Sequence, residues 1–259
     1  MNFIPFETWI ETAPGWITAL PEGLQNFIFQ IYQTFVFDSR WEYFTDGLKI
    51  TFIVTLGALA IGVVIGMIVA IIRSSHDSVR GKPNFFLRIL NAICKVYITV
   101  MRGTPLLVQL FIMYFVVMVP KTNSETMFCG ILTLGINSGA YVAEIARSGI
   151  MSINQGQMEA GRSLGLNYVK TMTYIILPQA FKNILPALGN ELIALLKETS
   201  LVSVITLQDV TLGAKIVTSL TYDALVPYLS LALIYLVLVM ALTKLLAILE
   251  RRLRKGDKR

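Results

Sequence analysis

The chain has 259 residues, 55% of them hydrophobic and 15% charged, and a net charge of +6. With a mean hydropathy of +0.66, this composition excludes an ordinary soluble globular domain and indicates a polytopic membrane protein. The positive charge does not imply a nucleic-acid partner, because basic residues sit at the ends of apolar runs and six fall in the last nine positions, which is a membrane-topology signal.

The first 40 residues carry no basic n-region and no small-residue cleavage site, so they do not read as a signal peptide. The run Phe27 to Phe37 is too short to span. With Trp9, Trp16 and Trp41 nearby it reads as an interfacial segment, because indole rings favour the headgroup region. Residues 1–45 are accordingly expected to form an extracytoplasmic or interfacial arm.

The first span is predicted from Leu48 to Ile72, long enough to cross with some tilt. Gly62 and Gly66 make a small-xxx-small pattern suited to close helix packing, expected within the chain, with dimerisation as the alternative. Residues 73–88 are polar, and His76, the sole histidine, is expected to be solvated there. The second span covers Ile89 to Val119 and is interrupted at Arg102-Gly103-Thr104-Pro105. Proline removes a backbone donor and glycine weakens the helix, so a gating kink is expected at these four residues. Freed carbonyls at membrane depth need protein or water to satisfy them.

The third span is Thr126 to Gly149. Near its end Glu144 and Arg147 are three residues apart and share a helix face, and their mutual pairing is the expected role, with direct contact to substrate as the alternative. Cys94 and Cys129 lie in or beside apolar stretches without metal-ligand spacing and read as packing residues.

The polar run from Gln157 to Pro178 stands between apolar segments. Glu159-Ala160 is read as opening a short helix and Gly165 as stopping it, since glycine accepts the positive φ of a helix C-terminus. Ile175-x-Leu177-Pro178 returns the chain to apolar sequence. Glu159-Ala160-Gly161, three residues, Gly165, nine residues and Ile175-x-Leu177-Pro178 resemble the EAA loop of ABC importer permeases. Gly161 stands where that family usually has alanine, a change expected to loosen an exposed helix by roughly 1 kcal/mol. The string Arg102-Gly103-Thr104-Pro105-Leu106-Leu107-Val108-Gln109 is similar to one in the polar amino acid branch of the same family. A segment like Tyr141 to Ile150 is found there too.

The fourth apolar run goes from Thr171 to Leu196, and its less hydrophobic continuation to Asp223 contains Thr199-Ser200-Leu201-Val202-Ser203, again similar to family members. Ala224 to Ile248 is the fifth span. The segments 73–88, 147–170 and 250–259 hold four, three and six Lys or Arg. The opposing segments 38–47, 120–126 and 197–223 hold one, one and two. The first set is therefore expected in the cytoplasm, with the N-terminus outside and the C-terminus inside.

No phosphate-cradling G-x-x-x-x-G-K-[ST] string occurs, so the energy for any transport must come from a partner or an ion gradient. Within the apolar runs Glu191 and Glu198 are conspicuous, because an ionisable group at membrane depth costs about 2.5–3.5 kcal/mol on insertion scales. Seven residues apart, they share one helix face about 10 Å from each other. Either Glu198 pairs with a basic residue of a neighbouring helix while Glu191 lines a polar packing site, or both face a substrate cavity together with Thr199 and Ser200.

The resemblance implies an all-α membrane protein of the type I ABC importer (MetI-like) fold, with five spanning helices over residues 46–253, a cytoplasmic coupling helix and a basic tail at 254–259. It implies that Glu159, Ala160, Gly161, Arg162, Leu164 and Gly165 couple to an ATPase. The expected assembly holds two cytoplasmic ABC ATPase subunits that bind ATP and Mg, a second permease subunit and an extracytoplasmic substrate-binding protein. It sits in lipid in the inner or plasma membrane of a prokaryote. This chain would be the permease, with no cofactor of its own, no enzymatic role and no nucleic-acid partner. Paired carboxylates favour a basic amino acid as cargo. Neutral polar or sulfur-containing amino acids such as glutamine or cystine are the alternative, and an ion-coupled secondary transporter is the reading from another class.

Overall fold

A computed structural model describes residues 4–77, 79 and 82–255, and no strand occurs among them. Part of the predicted loop (Ser78, Arg80 and Gly81) and the end of the predicted tail (residues 256–259) lie outside the described residues. In chain order the helices are α1 Phe6–Thr12, α2 Gly15–Thr18, α3 Glu22–Ile31, α4 Trp41–Asp77, α5 Phe85–Gly103, α6 Leu106–Ile112, α7 Asn123–Met151, α8 Gln155–Ser163, α9 Tyr168–Thr171, α10 Leu177–Glu198, α11 Val210–Thr221 and α12 Leu225–Lys255. Short π or 3-10 turns extend α3, α6, α9 and α10. Among the described residues three helices are long and apolar enough to cross a membrane: Trp41–Asp77, Asn123–Met151 and Leu225–Leu253. Two broken pairs bring the number to five when each counts as one span: Phe85–Gly103 with Leu106–Met118, and Tyr168–Ile205 with Val210–Thr221.

The chain divides into two compact units, the first being the described part of Met1–Ile53 with Thr199–Val239. Its N-terminal arm is segmented by proline: Pro5, Pro14 and Pro21 occupy the N-cap positions of α1, α2 and α3. Proline has a fixed φ and lacks the donor that a helix start leaves unused. The arm closes on an aromatic cluster, with Phe29 5.3 Å from Phe6 and 5.2 Å from Trp9 between ring centroids. Trp9 is thus a core residue of the arm, only 6% exposed, unlike Trp16 and Trp41, which are exposed, and this corrects its grouping with those two. It is buried because α1 turns its apolar face onto Phe29 and Tyr32. Elsewhere in this unit Phe44 packs with Val210, Ala214 and Val217.

The second unit comprises Val54–Glu198 and the described part of Met240–Arg259. Its centre is α7, whose glycines and alanines are all buried. Gly62 and Gly66 of α4 face this helix. A Cβ on Gly66 would stand 2.6 Å from Val142 Cβ, and one on Gly62 would stand 2.9 Å from Ser138 Oγ. The small-xxx-small pair therefore serves packing within the chain. The N-terminus of α7 is closed by Thr122, which accepts the Glu125 N–H, while Glu125 reaches back to the Lys121 N–H at 2.7 Å. That is a variant of the capping box.

Candidate functional site

The helix expected at Glu159 begins four residues earlier, at Gln155, because the Asn154 side chain caps it by accepting the Gly156 N–H at 2.8 Å. It ends as predicted at Gly165, whose φ is +81°. Gly165 donates to the Arg162 carbonyl and Leu166 to the Gly161 carbonyl, at 3.0 and 3.2 Å. This is the bonding pattern of a Schellman cap, in which an L-residue at the Gly165 position would be strained.

One face of α8 packs inward. Met158 meets the cluster of Ile150, Ile176, Ala180 and Ile184, and Gly161 is buried. A Cβ on Gly161 would stand 2.6 Å from Thr171 Cγ2 and 3.0 Å from Ile175 Cδ1. The expectation that Gly161 loosens an exposed helix is therefore wrong: the glycine admits the tight approach of the chain beyond the turn. The rest of its surface is open, with Glu159, Ala160 and Arg162 exposed and Leu164 80% exposed.

At the break in the second span, α5 stops at Gly103 and the axis turns by 106° before the next helix. This is a turn between two helices rather than a kink in one. Thr104 adopts extended backbone, φ −120° and ψ 144°, as the residue before a proline does. Nothing lies within 4 Å of a Cβ placed on Gly103, so Pro105 makes the break without steric need for that glycine.

The carbonyls released by the break are caught by two amides that the sequence reading did not single out. Gln109 Nε2 donates to the Met101 carbonyl at 2.9 Å and is 3.1 Å from the Thr104 carbonyl. Asn137 Nδ2, from α7, donates to the same Met101 carbonyl at 3.0 Å and to Gln109 Oε1 at 2.9 Å. Thr104 Oγ1 closes on the Val100 carbonyl at 2.8 Å. Gln109 was visible as a lone amide in an apolar run four residues past Pro105.

The expected Glu144–Arg147 pair does not form. Glu144 pairs with Arg102, whose guanidinium also stacks 4.9 Å from the centre of the Tyr141 ring. Arg147 pairs with Asp77 at 2.8 Å. Both side chains have partners on other helices with better geometry than a one-turn offset on α7 provides. Arg147 also donates from Nε to the same Asp77 oxygen at 3.1 Å. His76 Nδ1 is 3.3 Å from Asp77, so this histidine has a protein contact rather than being simply solvated.

Both candidate substrate carboxylates lie on α10 and are half-buried. Glu191 accepts the Ser138 hydroxyl of α7 at 2.6 Å. Among the described residues neither Glu191 nor Glu198 forms an ion pair. A shallow cleft of about 460 Å³ between α7 and α10 is lined by Glu144, Ser148, Ser152 and Asn183, and Glu191 and Glu198 are not among its lining residues. In the other unit, Thr199 is buried and opens a 3-10 turn. The Ser200 carbonyl accepts from Ser203 at 2.8 Å, and Ser203 in turn receives Lys215 Nζ at 3.0 Å.

Residues 62–255 match the family of binding-protein-dependent transport system inner membrane components. The chain is 38% identical over 216 residues to the arginine transport system permease protein ArtQ of Bacillus subtilis, a match covering 83% of this chain and 94% of that protein. It is 36% identical over 212 residues to a putative glutamine transport system permease protein GlnP of Rickettsia typhi, covering 82% and 93%. Among solved structures, an amino acid ABC transporter crystallised with histidines is similar with a TM-score of 0.73 and 43% identity, over 82% of this chain and 94% of that one.

Proposed function

The chain belongs to the binding-protein-dependent transport system inner membrane components, and from that premise we propose that it carries a basic amino acid across the membrane on energy received through α8. The subunit is an ABC importer permease; ATP hydrolysis belongs to partner subunits. The observation that carries the coupling role is the two-faced character of α8. Met158 and Gly161 anchor it to the bundle while Glu159, Ala160, Arg162 and Leu164 are left open. An anchored short helix with one open face suits a groove on another protein.

In this reading Glu159, Ala160, Gly161, Arg162, Leu164 and Gly165 form or shape the contact with one of two ATPase subunits. A second permease subunit and an extracytoplasmic binding protein complete the assembly. The excess of Lys and Arg in 73–88, 147–170 and 250–259 supports an N-terminus outside and a C-terminus in the cytoplasm. The break at Arg102, Gly103, Thr104 and Pro105 divides the second span into two helical pieces and is the gating element in this reading.

The cargo assignment rests on Glu191 and Glu198. Two half-buried carboxylates about 10 Å apart on one helix face repel unless a cation is near, and neither has an ionic partner among the described residues. A basic side chain with its α-amino group supplies two positive charges. Similarity to an arginine permease and to a transporter crystallised with histidines points the same way. The neutral-cargo reading draws on the glutamine permease relative and on Ser138, which already satisfies one Glu191 oxygen.

The test is uptake by proteoliposomes holding the whole transporter. Leu164→Lys is expected to uncouple ATP hydrolysis from uptake without loss of insertion. Glu191→Gln and Glu198→Gln are each expected to reduce arginine, lysine or histidine uptake. Unimpaired coupling in the first variant would overturn the docking role of α8. Glutamine uptake with no response to basic amino acids would overturn the cargo assignment alone.

A further inference from the structure

We propose that the N-terminal arm lies on the bilayer, with α3 parallel to the membrane surface and its apolar stripe Leu24–Phe27–Ile31 immersed in the headgroup and upper acyl region.

At 100° per residue, α3 has three sectors. Ile28 and Phe29, with Tyr32 just past its end, face the aromatic cluster of the arm. Leu24, Phe27 and Ile31 fall within about 60° of one another and are 50%, 39% and 39% exposed. Glu22 and Asn26, also exposed, occupy the remaining sector. The helix therefore has its intramolecular contacts on one side, yet keeps a second apolar stripe beside a polar one. That is the arrangement of an interfacial helix, which sinks about 5–10 Å into the headgroup–acyl boundary. Trp16 of α2 is 66% exposed, an amphipathic ring of the kind enriched at that boundary.

Lipid is the occupant because the arm is continuous with a membrane-facing surface. Just after α3, Phe35 packs on Phe44, 5.3 Å between ring centroids, in the cluster of Phe44, Val210, Ala214 and Val217 against which Leu231, Ile234 and Tyr235 of α12 also pack. Those residues lie about 9–15 Å along α12 from Leu225, by the rise of a helix. On the same stretch of α12, Leu229, Leu233 and Leu236 are 47%, 52% and 53% exposed, as hydrocarbon-facing residues of a span are. The root of the arm thus sits at the depth of the first turns of a spanning helix, and α3 leaves from that level. The arm's charge identifies the driving force. Glu7, Glu11, Glu22 and Asp38 stand against Arg40 alone among residues 4–40. Such an arm gains nothing from anionic lipid, so binding rests on apolar insertion and zwitterionic lipid suffices.

The experiment is a cysteine and spin-label scan of residues 22–31 in the full-length chain, within the assembled transporter in phosphatidylcholine nanodiscs. Cys94 and Cys129 are buried, which directs the label to the introduced thiols. Collision with oxygen, enriched in lipid, is expected to peak several-fold at Leu24→Cys, Phe27→Cys and Ile31→Cys. Collision with a water-soluble nickel chelate is expected to peak at Glu22→Cys and Asn26→Cys. Replacing part of the phosphatidylcholine by phosphatidylglycerol should leave the pattern unchanged. A label-free check is Trp16: wild type is expected to be quenched by lipid brominated near the headgroup more strongly than Trp16→Phe. The proposal is overturned if the three stripe positions are as open to nickel as Asn26→Cys, which means water. It is equally overturned if they are shielded from both reagents, which means a protein partner, or if oxygen contact appears only with anionic lipid.

Discussion

Adding one methyl group to α8, Gly161→Ala, sets two effects of opposite sign against each other. In an exposed helix interior alanine is favoured over glycine by about 1 kcal/mol, and alanine is the residue the EAA pattern usually has there. In this chain the new Cβ would stand 2.6 Å from Thr171 Cγ2 and 3.1 Å from Thr171 Oγ1. Thr171 cannot retreat easily. It is fully buried, its χ1 is stiff by branching, and its hydroxyl is bonded to the Asn167 carbonyl at 3.0 Å. Overpacking of this kind costs about 1–3 kcal/mol, so it exceeds the propensity gain, and a net loss of about 1 kcal/mol is expected. Thr171→Ser removes the methyl that clashes while keeping the hydroxyl. The assay is thermal stability of the purified complex, read by the loss of monodisperse protein on heating, for both single variants and the double variant. Gly161→Ala should lower the transition, and adding Thr171→Ser should recover most of the loss, a coupling of about 1 kcal/mol. A Gly161→Ala protein more stable than wild type, or additive effects with no recovery, would refute the packing role of Gly161.

Three further outcomes are expected. Gly165→Ala should destabilise the α8 turn by about 1–2 kcal/mol, seen as faster proteolysis after Arg162, whereas Gly156→Ala, at a position without positive φ, should not. Gln109→Leu and Asn137→Leu should each cost about 1–3 kcal/mol by leaving polar groups at the break unpaired, and the double variant should cost less than their sum; strict additivity in a melting series would show that the two amides do not act together. Asp77→Asn, at a partly exposed pair with Arg147, should change stability by no more than about 1 kcal/mol, and a larger shift in the same melting series would mean that the pair is better shielded than its exposure implies.

Much of this architecture was legible from hydropathy, because a span announces itself by length alone. The stop at Gly165 was legible too, since a positive φ selects glycine by local sterics. The errors arose where a local rule met a tertiary partner. Glu144 and Arg147 satisfy the one-turn spacing of a helical ion pair, but Arg102, 42 residues away in sequence, reaches Glu144 instead. Gly161 looked like a surface position because nothing in α8 itself reveals that Thr171 and Ile175 fold back onto it. Trp9 was grouped with its neighbours by residue type, although only its place on the apolar face of α1 decides its burial. Asn154 was a readable helix start, since asparagine is a preferred N-cap, and its side chain caps α8 by accepting the Gly156 N–H.

The second unit shows why α7 is the helix through which these features are joined. Asn137 holds the carbonyl released at the break, and its neighbour Ser138 donates to Glu191. Two turns further on, Glu144 takes the arginine of the break. Arg147 ties the helix to the end of α4, and Ser152, which receives the Asn183 amide at 2.8 Å, stands two residues before the cap of α8. From Asn137 to Ser152 is about 22 Å of continuous helix. Its buried face is mostly glycine, alanine and serine, which lets α4 and α5 approach closely but leaves few side-chain atoms to deform. A displacement of α8 therefore cannot be absorbed in soft side-chain packing along α7. It must either move the helix as a rod, shifting the break and the Glu191 contact together, or break the Asn183–Ser152 and Arg147–Asp77 contacts at the near end. Those contacts are partly exposed and individually weak, whereas the bonds of Asn137 are more deeply placed at the released carbonyl, so the near end is where slippage costs least.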